Sequence, residues 1–429
     1  MLELIKKKLE ALPCEAWELV QRETERWEFY YIGHRLDQNR AVRTKETEVT
    51  VYVKSEDGQS IGSASDSIGP SASGAEIDAM LGKLIFQAGL VKNPYYSLTD
   101  TPVSVPFKTE PVDTAAIAKA CILALAEVPE SETSRVNSYE IFVSSVKRHT
   151  LNSNGVEYVC VYPETEMEVV VNAREGEHEI ELLRTYRSGT CDRERLSADI
   201  AQLMRYGEDR LHAVPTPKLG KADIVFSTID ACMIYRYFID RMNAAYIVRK
   251  MSGWKTGEPI ADGISGDRVT VEVVSSMPNS SRDYPVDSEG NQVFDRYLVK
   301  DGVAASYWGS RQFSRYLGVE KSSMAVNARV SGGTCAEEEL RPGDCLEIVE
   351  FSDFHVDPVS GDIAGEIRLG YLHRGGEVTV VTGGSVSGSM HEAMKSMRFS
   401  KDTVQYDWIE IPKVTLLKGL TVTGVSSRT

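Results

Sequence analysis

The chain has 429 residues, of which 42% are hydrophobic and 26% charged, and its formal net charge is −15. That is a globular composition, at odds with wholesale disorder. The acid excess argues against direct nucleic-acid binding, which needs clustered cations to release counterions, and against an anionic membrane surface.

The length predicts two or three domains. The seven cysteines, Cys14, Cys121, Cys160, Cys191, Cys232, Cys335 and Cys345, are scattered and include no Cys-x-x-Cys. They read as reduced thiols. The N-terminal Met-Leu-Glu-Leu-Ile-Lys-Lys-Lys lacks the apolar core of a signal segment, and no run approaches 18 apolar residues. The expectation is a cytoplasmic protein with no membrane span.

Residues 1–25 carry Leu2, Ile5, Leu9, Leu12, Trp17 and Val20 at roughly helical spacing. The period then changes, and Glu48 to Lys54 with Asp57-Gly58 predicts a hairpin or meander. Ser63 to Gly74 is loop chemistry. Ser73-Gly74-Ala75-Glu76 predicts a helix start ahead of the stripe Ile77, Met80, Leu81, Leu84, Ile85, Ala88. Four prolines between 94 and 111 mark a connector, and Asp113 to Glu127 is an Ala-rich helix. Strands are expected at 139–146, 155–162, 167–171 and 179–183, with a turn at Asn152-Ser153-Asn154-Gly155. A helix follows over 193–211. Val214-Pro215-Thr216-Pro217 opens a further unit: a strand over 223–226, a long helix over 229–250, then short strands from Val269 onward. The fold class is α+β. The expected units are 1–110 and 111–214, both α/β, and a β-rich C-terminal domain, 215–429, whose long helix packs on an antiparallel sheet or barrel.

The residues offer little isolated chemistry. His391-Glu392 has no second His one turn later, as a zinc helix requires. Asp353, His355 and Asp357 alternate and would share one face of a strand, but Asp357-Pro358-Val359-Ser360-Gly361-Asp362 is turn chemistry. Ser385 and Ser387 lie in a Gly-flanked stretch that is not a nucleophile elbow. Gly332-Gly333 and Gly375-Gly376 match no phosphate loop. Glu337-Glu338-Glu339 reads as a solvated charge run.

The order of several segments is more informative. It runs from Leu151-Asn152-Ser153-Asn154-Gly155-Val156-Glu157 through the linker-and-strand Pro215 to Phe226 and Tyr297 to Val303. Ser310 to Gly318, Val356 to Ile363 and the close Ile411 to Gly424 complete it. In that order the chain resembles the TldD/TldE family, also called PmbA or modulator of DNA gyrase. The resemblance implies a peptidase built from two related subunits. The TldD type carries His-Glu-x-x-x-His on the first helix after the linker and a late cysteine ligand; the TldE type lacks the zinc motif. Here the two His positions hold Arg236 and Arg241, and the Glu position holds Tyr237. No His lies between His212 and His355, no Glu between Glu208 and Glu258, and no Cys beyond Cys345. Arginine stays protonated and cannot ligate a dication.

The resemblance therefore implies a TldE-like member with no metal, no cofactor and no catalytic residue of its own. Its partner would be a TldD-like zinc peptidase subunit or a second copy of itself, and its ligand an unfolded peptide. A stand-alone homodimeric binding or regulatory protein is the alternative. On the helix, Ala231, Ile234, Tyr235, Phe238, Met242, Ala245 and Tyr246 form an apolar stripe. Arg236, Asp240, Arg241 and Asn243 are left as peptide- or partner-facing candidates.

Overall fold

The structure, a computed structural model, describes residues 1–425. Helix α1, Leu2–Glu10, ends before Pro13, and strand β1 runs from Ala16 to Ile32. Residues 16–25 are thus strand, not helix. Trp17, Leu19 and Gln21 alternate inward, and a period of two outweighs the looser helical spacing once Pro13 has broken the turn. Next come β2 (Arg35–Lys54), β3 (Ser60–Ile68), helix α2 (Gly74–Leu90), β4 (Asn93–Pro94) and helix α3 (Thr114–Ala126). Ser73 caps α2: its hydroxyl accepts from the Glu76 N–H at 3.3 Å, and the Glu76 carboxylate accepts from the Ser73 N–H at 2.7 Å. Strands β5 (Ser134–Asn152), β6 (Glu157–Glu175) and β7 (His178–Ser188) precede helix α4 (Arg193–Leu211). The segments expected at 155–162 and 167–171 are one strand, β6.

These seven strands make one sheet, in the order β4-β3-β2-β1-β5-β6-β7. Because β1 is bonded to both β2 and β5, the sheet runs straight across position 110/111. Helices α1 and α2 cover one end of one face, burying Ile5, Leu9, Ile77, Leu81 and Leu84. Helices α3 and α4 cover the other end, over Ile141, Val143, Met167 and Val169.

Beyond the linker lie β8 (Val214–Pro215), β9 (Gly220–Phe226), α5 (Ala231–Arg241), α6 (Ala244–Val248), β10 (Val271–Val274), β11 (Arg296–Lys300) and β12 (Val303–Ala304). They are followed by α7 (Arg311–Tyr316), β13 (Asn327–Val330), β14 (Cys345–Val356), β15 (Asp362–Arg374), β16 (Glu377–Thr382) and β17 (Ser385–Ser389). The last elements are α8 (Met390–Ala393), β18 (Arg398–Phe399), β19 (Thr403–Tyr406), β20 (Ile409–Pro412) and β21 (Thr415–Thr423). A six-stranded sheet has the order β12-β11-β10-β13-β20-β19. A second sheet closes on itself through β14-β9-β21-β17-β15 and back to β14, a small barrel with β16 and β8 attached. Both are mixed rather than wholly antiparallel, since β13–β20, β14–β9 and β16–β8 run parallel.

The helix expected over 229–250 is broken. The Met242 carbonyl accepts from the Trp308 N–H and the Ala244 N–H donates to the Trp308 carbonyl, so a neighbouring chain takes bonds the helix would have used. The Asn243 side chain then caps α6 through the Ala245 N–H at 2.8 Å. Among the described residues no helix is long and apolar enough to cross a membrane.

Buried polar contacts tie the two halves together. Arg311 is buried and lies 3.5 Å from Glu18 of β1, while its N–H donates to Glu289 at 2.8 Å. Burial pushes the Glu289 carboxyl up to about 7, with Arg311 pulling it down. A carboxyl raised in the folded state binds protons on folding, so its stabilising contribution is present at low pH and fades as pH rises from about 4.5 to about 7. Relative to wild type, Glu289→Gln should therefore gain about 2 kcal/mol between pH 5 and pH 8, read by urea unfolding. A gap that does not change with pH would contradict this assignment.

Candidate functional site

Helix α5 is apolar on most of its circumference. Ala231, Ile234, Tyr235, Tyr237, Phe238 and Ile239 are all buried between the barrel and the six-stranded sheet. That packing fixes where its polar residues go, and it separates the four candidates. Arg236 is exposed and faces a cleft. Asp240 is half-buried; desolvation raises its carboxyl, with Arg236 one turn back pulling it down. Asn243 is the cap already described.

Arg241 does not decorate a solvated surface. It is 7% exposed, and its guanidinium donates to the carbonyls of Val359 at 3.1 Å and Pro358 at 3.4 Å. Its carbon centre lies 5.1 Å from the Trp254 ring centroid and 5.6 Å from that of Tyr237. Its Nε has no partner. The Tyr237 hydroxyl lies 3.1 Å from Nδ1 of His391. Gly361 lets the His391 ring lie close, since a Cβ there would stand 2.9 Å from it. The three positions at which the resemblance expects a zinc motif thus hold a solvated guanidinium, a phenol turned to an imidazole, and a buried cation. A fixed positive charge wrapped in carbonyls and ring faces does not fit a zinc ion.

The remaining sequence candidates do not converge. His391 points to Tyr237 while its neighbour Glu392 is exposed and pairs with Lys395 at 3.0 Å. Asp353 and His355 are exposed on β14. Asp357 lies beyond the strand end, accepting from the N–H groups of Val359 and Ser360 at 2.8 and 2.7 Å, bonds that hold its carboxyl below the usual range. Ser385 and Ser387 are strand residues of β17. Among the described residues no three His, Cys, Asp or Glu side chains gather as a metal would need.

What the fold does build is a cleft of about 860 Å³ between β7 and α4 on one side and the start of α5 and the β19–β20 hairpin on the other. Both β7 and β19 end their sheets, so two free strand edges border it. Its walls are charged: Arg184 pairs with Glu350, Arg195 lies 3.8 Å from Asp199, and the Asp230 carboxyl is pushed up to about 6 by burial, with Arg184 countering. The Tyr186 hydroxyl is buried there with no hydrogen-bond partner among the described residues. Trp408, Asp407, Arg282 and Asp230 were not singled out from the sequence. The one available signal was Asp407-Trp408 between two short β patterns, the place of a two-residue turn.

In architecture this is a two-part α+β protein with a long meander sheet, a small barrel and a cleft between them. Solved structures share that fold. TldE from Thermococcus kodakarensis superposes with a TM-score of 0.78 at 14% identity, covering 98% of this chain and 100% of that one. A protein described as a modulator of DNA gyrase from Thermotoga maritima gives 0.77 at 16% identity, over 99% and 100%. Another so described, from Bacteroides thetaiotaomicron, gives 0.78 at 16%, over 99% and 98%. None of the curated proteins compared matches the chain. Residues 219–424 match the family model "PmbA/TldA metallopeptidase C-terminal domain", so the C-terminal part of the chain is similar to that domain.

The buried Arg241 has a checkable cost. Arg241→Ala should lose about 3 kcal/mol of stability in urea unfolding, because it opens a cavity and strands two carbonyls. Arg241→Met should lose less than half as much, since it refills the volume and removes an uncompensated charge. Equal losses would mean that the guanidinium is better solvated than this geometry allows.

Proposed function

We propose that the chain is a TldE-like, metal-free subunit of a TldD/TldE-type metallopeptidase. It holds an extended peptide in the cleft while a zinc-bearing, TldD-like partner cuts it. The observation that carries this reading is the buried Arg241 cation beside Tyr237, at positions where the resemblance places a His and a Glu. The two free edges at the cleft support the peptide part. A strand edge recognises the backbone of an extended chain irrespective of sequence, as a subunit serving a protease requires.

The purified chain should carry no stoichiometric zinc by metal analysis and cleave no unfolded peptide. Co-expressed with a TldD-like chain from the same cell, it should co-purify and give cleavage that a chelator stops. One tightly bound zinc per chain, with chelator-sensitive peptidase activity from the chain alone, would sink this reading.

A further inference from the structure

Five arginines line the cleft, and three are spoken for: Arg184 by Glu350, Arg187 by Glu166 at 2.5 Å, and Arg195 by Asp199. The other two, Arg236 and Arg282, have no carboxylate within ion-pair distance among the described residues. They converge on one indole. The Arg282 guanidinium carbon lies 4.7 Å from the Trp408 ring centroid and that of Arg236 lies 6.0 Å from it. Among the described residues the side-chain hydrogen bond of Arg236 is with the Met233 sulfur, at 3.9 Å.

The arrangement is braced. Asp407 and Trp408 form the two-residue turn between β19 and β20, and Asp407 sits at φ +51°. Turns of this kind favour Asn-Gly or Gly-x, because a Cβ is disfavoured at positive φ. Here hydrogen bonds to the neighbouring segment hold the turn in place. The Asp407 carboxylate accepts from the Ser281 N–H at 2.8 Å and from the Ser281 hydroxyl at 2.9 Å. The Gln405 amide donates to the carbonyls of Asp407 and Pro278, each at 2.7 Å. These bonds fasten segment 278–282 to the hairpin tip and set Arg282 over the ring. They also use up the Asp407 carboxylate beside Trp408, leaving the half-buried Asp240, one helical turn away, as the acid nearest Arg236 in sequence.

We propose that Arg236, Arg282 and Trp408 anchor a single carboxylate, either the C-terminal end of the extended peptide or an Asp or Glu side chain on it. This rests on the peptide-binding reading above and names the group by which the peptide is held. Both guanidinium carbons lie near the same indole, 4.7 and 6.0 Å from its centroid, each fork can take a carboxylate bidentately, and the indole offers apolar surface to the adjoining aliphatic carbons. A chain paired to the outer edge of β19 would run onto Trp408, since the turn follows Tyr406 directly. A polyanion suits the cleft poorly, because Asp192, Asp199 and Asp230 also line it.

The test is calorimetric titration of the purified chain with three peptides of one sequence, acetyl-Ala-Ser-Ala-Ser-Ala: the free acid, the C-terminal amide, and an amide with Glu replacing the central Ala. At least one carboxylate peptide should bind about tenfold or more tightly than the plain amide. A gain for the free acid alone identifies a chain end, and a gain for the Glu peptide alone identifies a side chain; both support the anchor. Arg236→Gln/Arg282→Gln should erase the gain, bringing the carboxylate peptides to the affinity of the plain amide, while the Lys/Lys variant keeps part of it. Both arginines are exposed, so melting temperatures should stay at the wild-type value. Equal binding of all three peptides overturns the anchor and leaves peptide binding standing. If no peptide binds but N-acetylglycine does, in an arginine-dependent way, the anchor stands and the peptide reading falls. If no carboxylate probe binds, or if orthophosphate or a short oligonucleotide competes more strongly, the carboxylate assignment is wrong.

Discussion

A guanidinium taken out of water keeps its charge, so whatever surrounds it must replace the water. Arg241 imposes that constraint on the centre of the C-terminal domain. Two carbonyls from the turn after β14, the indole of Trp254 and the ring of Tyr237 are arranged around it. Tyr237 in turn engages His391 on α8, so the helix, the turn and the short C-terminal helix are locked to one another through one cation. The neighbourhood resembles a metal site in its convergence and differs from one in the sign of its demand. It supplies electron-rich groups to a charge that is already covalently attached.

With that side of α5 committed to holding the domain together, Arg236 leaves the apolar stripe on the other side and lines the cleft. The cleft exists because two sheets end facing each other. The N-terminal sheet contributes β7 and the C-terminal domain contributes β19, each the last strand of its sheet, with the Gln405 carbonyl of β19 accepting from the Arg195 side chain. Polar contacts set the distance between the halves. Lys108 of the connector reaches Asp283 at 3.2 Å, and Arg148 lies over Tyr284 at 4.1 Å. Segment 278–292 is therefore gripped from the N-terminal sheet at one end and from the β19–β20 hairpin at the other.

Much of this was legible along the chain. The capping pair Ser73 and Glu76, the Asn152–Gly155 turn and the helix over 193–211 were marked by local chemistry that tertiary contacts reinforced. Residues 16–25 were misread because two periods fit the same apolar positions, and only the sheet decided between them. The helix over 229–250 was misread because its break is caused by Trp308, some 65 residues away in sequence and invisible to any local rule. The site divided along the same line. The residue types at the three positions where the resemblance expects a zinc motif stand in the sequence itself, whereas the burial of Arg241 and the approach of Arg236 and Arg282 to Trp408 depend on packing between distant segments.

The barrel also sets an order of events. Its ring is closed by β21, residues 415–423, inserted between β9 at residues 220–226 and β17. Until that late segment has emerged from the ribosome, β9 lacks one of its two neighbours and the ring stays open. The strands of the N-terminal sheet all lie before residue 189, so its hairpins can pair while the rest is still being synthesised. A nascent chain would thus pass through a long interval with one half assembled and the other exposing unpaired strand edges, the stage at which a chaperone would matter most.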